Sequence, residues 1–384
     1  MLVAARALQG AFGALLAPSA LSLLTVTFAD SPDRAKAFGI FGAIAGGGAS
    51  VGLLLGGLLT EVLSWRWCLY VNVVIAAPTA VLAVRMLRNI AQQDRPRIDL
   101  PGVLVGSAGL FAVVYGFSSA ETSSWSDPVT VVSLALSVIL LSSFMVIESR
   151  AEHPLLPLHI VRDRARGGAY ASIALAGSGV FGVFLFLTYY MQQGLGFSPL
   201  KTGVAFLPMT IAIVITSTTV QTQLLHRIGA KRLVAGGMTL GVIAMLNFTR
   251  LTPGASYAAY VLPGLIVIGL GMGCIFAPAF GTATLGVRST EAGVASAMVN
   301  TSQQVGGSIG TALLSTIFAS AAASFAASHL GGSDAGAAAA VHGYTTAFWW
   351  AAAIFGVGLL VALVVIPAGA SGRPGEQAAA GIAR

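Results

Sequence analysis

Residues 128–147 read PVTVVSLALSVILLSSFMVI, a run without one charged side chain. As an α-helix rising about 1.5 Å per residue, it reaches about 30 Å, the thickness of a bilayer's hydrocarbon core. Period-two alternation, which a membrane β-strand requires, is absent. In lipid only helices and closed barrels satisfy every backbone group. The run therefore predicts a transmembrane helix. Working outward, comparable apolar runs fall at 3–29, 38–60, 66–86, 101–119, 170–191, 202–224, 233–250, 257–281, 292–320 and 345–367. Together they predict an all-α polytopic membrane protein of about eleven transmembrane helices. Residues 2–29 are too long and too glycine-rich for a signal peptide, and the expectation is a genuine span.

Composition agrees. Hydrophobic residues make up 56% of the chain and charged residues 9%, against about 25% charged in a soluble domain. One soluble core could not hide that apolar surface, whereas a bilayer solvates it directly. The 47 glycines fall mostly inside apolar runs, where small residues let membrane helices approach closely. The formal charge of +7 comes from short basic clusters between those runs, so no nucleic-acid partner is expected. Cys68 and Cys274 are far apart in apolar stretches, which fits small packing residues rather than a disulfide or a metal site.

Loop charge sets the expected orientation. With the loop Asp30–Lys36 placed in the cytoplasm and the sides alternating, sixteen of the 20 basic residues fall on the cytoplasmic side. They include Arg34, Arg95, Arg97, Arg164 and Arg232, while the outer loops hold only Arg66, Lys201 and Arg250. This is the positive-inside pattern. It predicts a multi-pass protein of the cell (inner or plasma) membrane, with its amino terminus outside and its carboxyl terminus in the cytoplasm. The long cytoplasmic stretches Arg88–Leu100 and Glu148–Gly167 divide the helices three, two and six. The expected units are a partial three-helix N-terminal bundle at 1–90, two inserted linker helices at 91–150, and a six-helix bundle with a short cytoplasmic tail at 151–384.

Five segments carry a family resemblance. Arg6-Ala7-Leu8-Gln9-Gly10-Ala11-Phe12-Gly13-Ala14 resembles the fourth-helix motif of the major facilitator superfamily. Gly48-Ala49-Ser50-Val51-Gly52-Leu53-Leu54-Leu55-Gly56-Gly57, followed by Trp65-Arg66-Trp67 and Asn72, resembles its fifth-helix antiporter motif and the turn beyond it. Gly196–Gly203 running on to Pro208, Arg227–Arg232, and Glu291–Ser296 with Asn300–Gly307 and Gly310 are similar to segments of its C-terminal half. The order and extent resemble the fourteen-helix drug:proton antiporter branch, the EmrB/QacA-like exporters, with this chain supplying family helices four to fourteen and lacking the first three. Leu53 stands where that motif usually has Pro, and Gln303 where Arg is common.

The resemblance implies a major facilitator-type bundle and a secondary transporter that exports amphipathic drug-like or antibiotic-like organic compounds by proton antiport. An exporter of one defined metabolite, such as an amino acid or siderophore, stays open, as does an inactive truncated fragment. For conformational change and proton coupling it points to Arg6, Gln9, Gly10, Gly13, Gly48, Gly52, Gly56 and Gly57. Arg6 is the sharpest, because a guanidinium inside an apolar helix costs about 2.5–3.5 kcal/mol and should face a partner in the bundle interior. Gly48, Gly52 and Gly56 stand at i, i+4 and i+8 and predict a helix face that admits a close neighbour, serving either sliding helices or static packing. No Asp or Glu lies deep within a predicted span, and in the resembling exporters the coupling acid often lies in the first helix. Tyr189, Tyr190, Gln192, Asn300 and Gln304 are the expected substrate-cavity residues: aromatic walls with a few amides suit amphipathic organic compounds. The expected partners are a small organic substrate, the bilayer and protons, with a monomeric protein, no cofactor beyond the proton gradient, and no metal. Without a Walker A pattern or a nucleophile–base constellation, neither ATP-driven transport nor enzyme activity is expected.

Overall fold

The structure, a computed structural model, describes residues 2–28, 33–86, 99–152, 154–328 and 335–367. These residues contain helices and no strand. The first five helices are α1 (Leu2–Thr27), α2 (Arg34–Val62), α3 (Trp67–Met86), α4 (Leu100–Thr122) and α5 (Pro128–Arg150). A short α6 (Leu158–Arg162) precedes α7 (Arg164–Tyr189), which continues as a π-turn at Tyr190–Gly194. The next span is interrupted: α8 (Pro199–Ala205), α9 (Leu207–Thr219), a π-turn at Val220–Leu224 and α10 (Leu225–Ile228). Then come α11 (Ala230–Phe248), α12 (Leu262–Ala283) behind a π-turn at Tyr257–Val261, α13 (Ala292–Ser328) and α14 (Ala335–Val364).

Each of the predicted apolar runs falls on helix in its described residues, apart from a few end residues. Nine helices among the described residues are long and apolar enough to cross a membrane. The two other runs lie in α2, whose side chains are only partly described, and in α11, which opens with Lys231 and Arg232. Helices also continue past the apolar runs, as in α5 to Arg150 and α13 to Ser328, because backbone hydrogen bonding does not stop where lipid does. The expected loop positions Asp30, Arg88, Arg95, Arg97, His153, Arg373 and Arg384 lie outside the described residues.

Local chemistry sets the boundaries. Asp99 accepts from the Gly102 N–H and Asp127 from that of Val129, each just before a proline in the first turn. Asp163 and Ser198 cap α7 and α8 through the N–H groups of Arg166 and Lys201. Gly229, at φ 85°, breaks the chain between α10 and α11. Inside the spans, hydroxyls return to their own helix: Thr25 bonds the Leu21 carbonyl, Ser143 that of Ile139 and Thr218 that of Val214. Such bonds make serine and threonine tolerable in lipid.

The core lies among α7 to α14. Phe186, Tyr190, Phe206, Phe248, Phe348 and Phe355 are fully buried there. Against this core α1 packs on α13, α2 packs on α8, α9 and α12, and α4 joins α5 to α13. The outward side is apolar: Phe12, Phe111, Ile139, Trp349 and Leu360 are exposed. Water would disfavour that surface; a bilayer solvates it. None of the residues of α3 is buried, and among the described side chains of α1 only Leu21 and Thr25 are.

Candidate functional site: the seam between the helix groups

Arg6 and Gln9 lie one turn apart on α1, and Arg6 Nη1 donates to Gln9 Oε1 at 2.7 Å. They face α3 across a cleft of about 570 Å³ that Leu69, Asn72, Val73, Ala76 and Ala80 complete. The structure thus brings together the charged head of the first motif and the Asn72 of the second. The cleft is an apolar trough with a cation and amides at one place, suited to an organic molecule with a polar end. Gly10 and Gly13 do not add to it by close packing, since a Cβ on either would meet nothing within 4 Å.

The glycines of α2 divide differently from expectation. A Cβ on Gly48, Gly52 or Gly56 would also meet nothing within 4 Å, so the predicted face is open rather than closely packed. The packed face is the neighbouring one. A Cβ on Gly39 would lie 3.1 Å from Gln221 Cβ, on Gly42 3.2 Å from Ala277 Cα, on Gly47 3.0 Å from Thr210 Cγ2, and on Gly57 2.6 Å from the Pro199 carbonyl oxygen. From the other side, a Cβ on Gly203 would lie 2.6 Å from Leu54 Cα. Among the predicted glycines of this motif, Gly57 alone belongs to the contact. Alanine at Gly48, Gly52 or Gly56 is therefore expected to leave the unfolding midpoint of the purified protein within about 0.5 kcal/mol, or slightly raise it through helix propensity. A clear loss of stability in any of the three would show that this face is covered.

Polar contacts hold both ends of the seam. At one end Leu200 N–H donates to Glu61 Oε2 at 3.2 Å. At the other, Arg34 Nη2 reaches the Thr284 hydroxyl at 3.4 Å and its carbonyl at 3.5 Å, with the guanidinium 4.6 Å from the Phe38 ring centre. Arg166 Nη2 donates to the Leu285 and Gly286 carbonyls of the same turn. Just beyond, Glu291 is bound by Arg288 and lies 3.3 Å from His159 Nε2. The Arg288 guanidinium is the main reason the Glu291 carboxyl sits below its usual range. Loops expected on one side of the membrane thus meet at one end of the bundle.

The expected cavity residues scatter. Tyr190 is not on a cavity wall: it is fully buried, and its hydroxyl donates to the Thr252 carbonyl at 2.9 Å. Its neighbour Tyr189 is 44% exposed, because adjacent residues on a helix point about 100° apart. Gln192 is half-buried in the π-turn, and Asn300 Nδ2 bonds back to Ser296 O at 3.0 Å within its own helix. Gln304 lines a second groove, of about 340 Å³, with Ser118 and Val114 of α4, Phe181 of α7 and Ser308 and Thr311 of α13. No residue lines both this groove and the Arg6 cleft.

Two polar residues escaped the sequence reading. Gln221 is 1% exposed and its Nε2 donates to the Ala277 carbonyl at 2.6 Å, tying α9's continuation to α12 directly behind Gly39. An amide inside the apolar run 202–224 was the available signal. Glu148, expected at the start of a solvated loop, is 3% exposed in the last turn of α5.

An all-helical, lipid-facing bundle in which a glycine seam joins two helix groups beside a cleft is the architecture of a membrane transporter rather than of a soluble domain. The chain belongs to the Major Facilitator Superfamily, which it matches over residues 1–311. It is 46% identical over 368 residues to the puromycin resistance protein pur8 of Streptomyces alboniger, covering 94% of this chain and 71% of that protein. It is 37% identical to the cephamycin export protein CmcT of Amycolatopsis lactamdurans (82% of this chain, 66% of the relative). With the tetracenomycin C resistance and export protein of Streptomyces glaucescens the identity is 31% (83% and 59%). The chain therefore spans between 59% and 71% of the length of these relatives.

Proposed function

We propose that this chain works in a secondary transporter that exports amphipathic, antibiotic-like organic compounds in exchange for protons. The observation that carries the reading is the 46% identity, along 94% of the chain, to a protein named for puromycin resistance. Similarity to proteins named for cephamycin and tetracenomycin export supports it. In this reading the Arg6–Gln9–Asn72 cleft, an apolar wall with a positive charge, is where substrate and coupling chemistry meet. Arg6 is exposed on α1 rather than buried in the bundle interior as its motif led one to expect, with Gln9 of its own helix as hydrogen-bond partner; a guanidinium facing the cleft responds to protonation of a nearby acid through the change in local charge. Glu148 and Glu291 are the buried acids among the described residues; Glu148 lies in the last turn of α5 and Glu291 close to the turn where Arg34 docks, and neither lines the Arg6 cleft.

In this reading the protein is a monomer in the cell membrane, with its amino terminus outside and its carboxyl terminus in the cytoplasm, as the loop charges favour. It catalyses no covalent chemistry and needs no cofactor beyond the proton gradient. The test is the susceptibility of a drug-sensitive bacterial host with and without the expressed chain, against puromycin and several unrelated toxic compounds. A several-fold rise in tolerance to more than one compound, abolished by a proton ionophore, is expected. Protection against one compound alone would favour an exporter of a single defined metabolite. Unchanged tolerance to all of them, with the protein present in the membrane, would overturn export by this chain.

A further inference from the structure

One end of the α4–α5 hairpin carries two acids that lie apart from the Arg6 cleft. Its two helices pack along their length, and at the end where α4 begins and α5 ends two carboxyl groups face one gap. Asp99 caps α4, with Oδ1 accepting the Gly102 N–H at 3.0 Å. Glu148 accepts the Leu156 N–H on Oε2 at 2.9 Å, so it also fixes the loop that leads from α5 to α6. The other oxygen of each is buried without a hydrogen-bond partner: Asp99 Oδ2 and Glu148 Oε1. Both point at the space above Gly102. Glu148 Oε1 lies 2.6 Å from where a Cβ on Gly102 would sit, and Asp99 Oδ2 lies closer still.

A buried carboxylate oxygen without a donor is costly, and two ionised carboxylates facing one gap repel each other. Among the described residues no cation stands beside them. On α4 no charged side chain other than that of Asp99 stands at this end; on α5 Arg150 follows Glu148 but is exposed, and in the packed loop Glu152 is exposed too. Residues 87–98, which precede Asp99, lie outside the described residues. A single proton answers both defects, because it removes one charge and supplies the missing donor.

We propose that Asp99 and Glu148 are a proton-binding pair, one carboxylic acid donating to the other's carboxylate, and that this proton closes the end of the inserted hairpin. Gly102 is what leaves room for it. Neither acid lines the cleft at Arg6, so the proposal stands whether or not the chain exports drugs. Loss of the proton as pH rises leaves two facing charges and loosens both the α4 cap and the loop at Leu156.

The purified full chain in lipid nanodiscs gives the test. Infrared spectra of the wild type recorded across a pH titration are expected to show a protonated-carboxyl carbonyl band that Glu148→Gln and Asp99→Asn each remove. The thermal unfolding midpoint of the wild type, read at pH 5 and at pH 8, should be lower at the higher pH. That of Glu148→Gln should stay level, and at pH 8 it should equal or exceed the wild-type value, since the amide donates permanently to Asp99. A wild-type band that survives both substitutions, or no such band at all, overturns the proposal. So does a Glu148→Gln protein that is less stable than wild type at both pH values, and so does a carboxylate band that shifts with added sodium or calcium but not with pH, which would make the occupant a metal cation.

Discussion

Gly306→Val is expected to destabilise the protein by about 3 kcal/mol, against less than about 0.5 kcal/mol for alanine at Gly52. The difference follows from what each glycine touches. A Cβ at Gly306 would lie 2.7 Å from Ala174 Cα, inside the backbone of α7, and one at Gly310 would lie 2.6 Å from the Ser178 carbonyl oxygen. The Ser178 hydroxyl donates to the Gly306 carbonyl at 2.6 Å, across the helix–helix contact itself. On α7, Gly177 and Gly182 answer with close approaches to the Gln303 carbonyl and to Leu314. The two helices are therefore in close contact along about two turns, and at Gly306 the nearest atoms are the Ala174 backbone, which cannot give way as a side chain could. In lipid the hydrophobic effect does not hold helices together; close packing and interhelical hydrogen bonds do. A valine must separate α7 from α13, which forfeits that packing and stretches the Ser178 bond. Unfolding of the purified protein by increasing SDS, followed by tryptophan fluorescence, measures the difference. If Gly306→Val keeps the wild-type midpoint, the α7–α13 contact is looser than described.

The same glycines show what could be read without coordinates. Apolar length fixed each span, because a bilayer demands about twenty solvated residues regardless of neighbours. Rotation of a span about its own axis has no such rule. In α2, glycines at 39, 42, 46, 47, 48, 52, 56 and 57 make several overlapping faces, and the most regular spacing, 48–52–56, proved to be an open one. The packed face is less regular because it alternates glycines with Leu54, whose own backbone meets Gly203. The tyrosine pair failed for a related reason. Tyr189 and Tyr190 are adjacent in sequence, yet only Tyr190 enters the core, where the π-turn beginning at that residue directs its hydroxyl to Thr252. No periodicity announces a π-turn. Charge did not foretell burial: Glu148 follows an apolar run directly and reads as solvated, whereas the loop through Leu156 folds back over it.

A substitution on the α2 seam should act on transport more than on stability. The packed contacts of α2 run from Gly39 at one end to Gly57 at the other, against α9, its neighbouring turns and α12. A carrier that alternates access must rotate one helix group against the other while some line between them stays closed. A seam of glycine against backbone suits that line, because no interdigitated side chains need change rotamer as the angle changes. Gly203→Val places a branched side chain against Leu54 Cα near one end of the seam. Its overpacking, about 1–3 kcal/mol, falls mainly on the state in which that end is closed. Since 1.4 kcal/mol is tenfold in a population, export is expected to drop about tenfold or more while the amount of protein in the membrane stays near wild type. Gly42→Val, against Ala277 Cα toward the other end, should penalise the opposite state. The two variants are thus expected to shift labelling of cysteines introduced at the two mouths in opposite directions. Export within twofold of wild type in both variants, at equal abundance, would mean that the groups do not pivot on α2. Shifts of the same sign would mean that the seam opens as one piece.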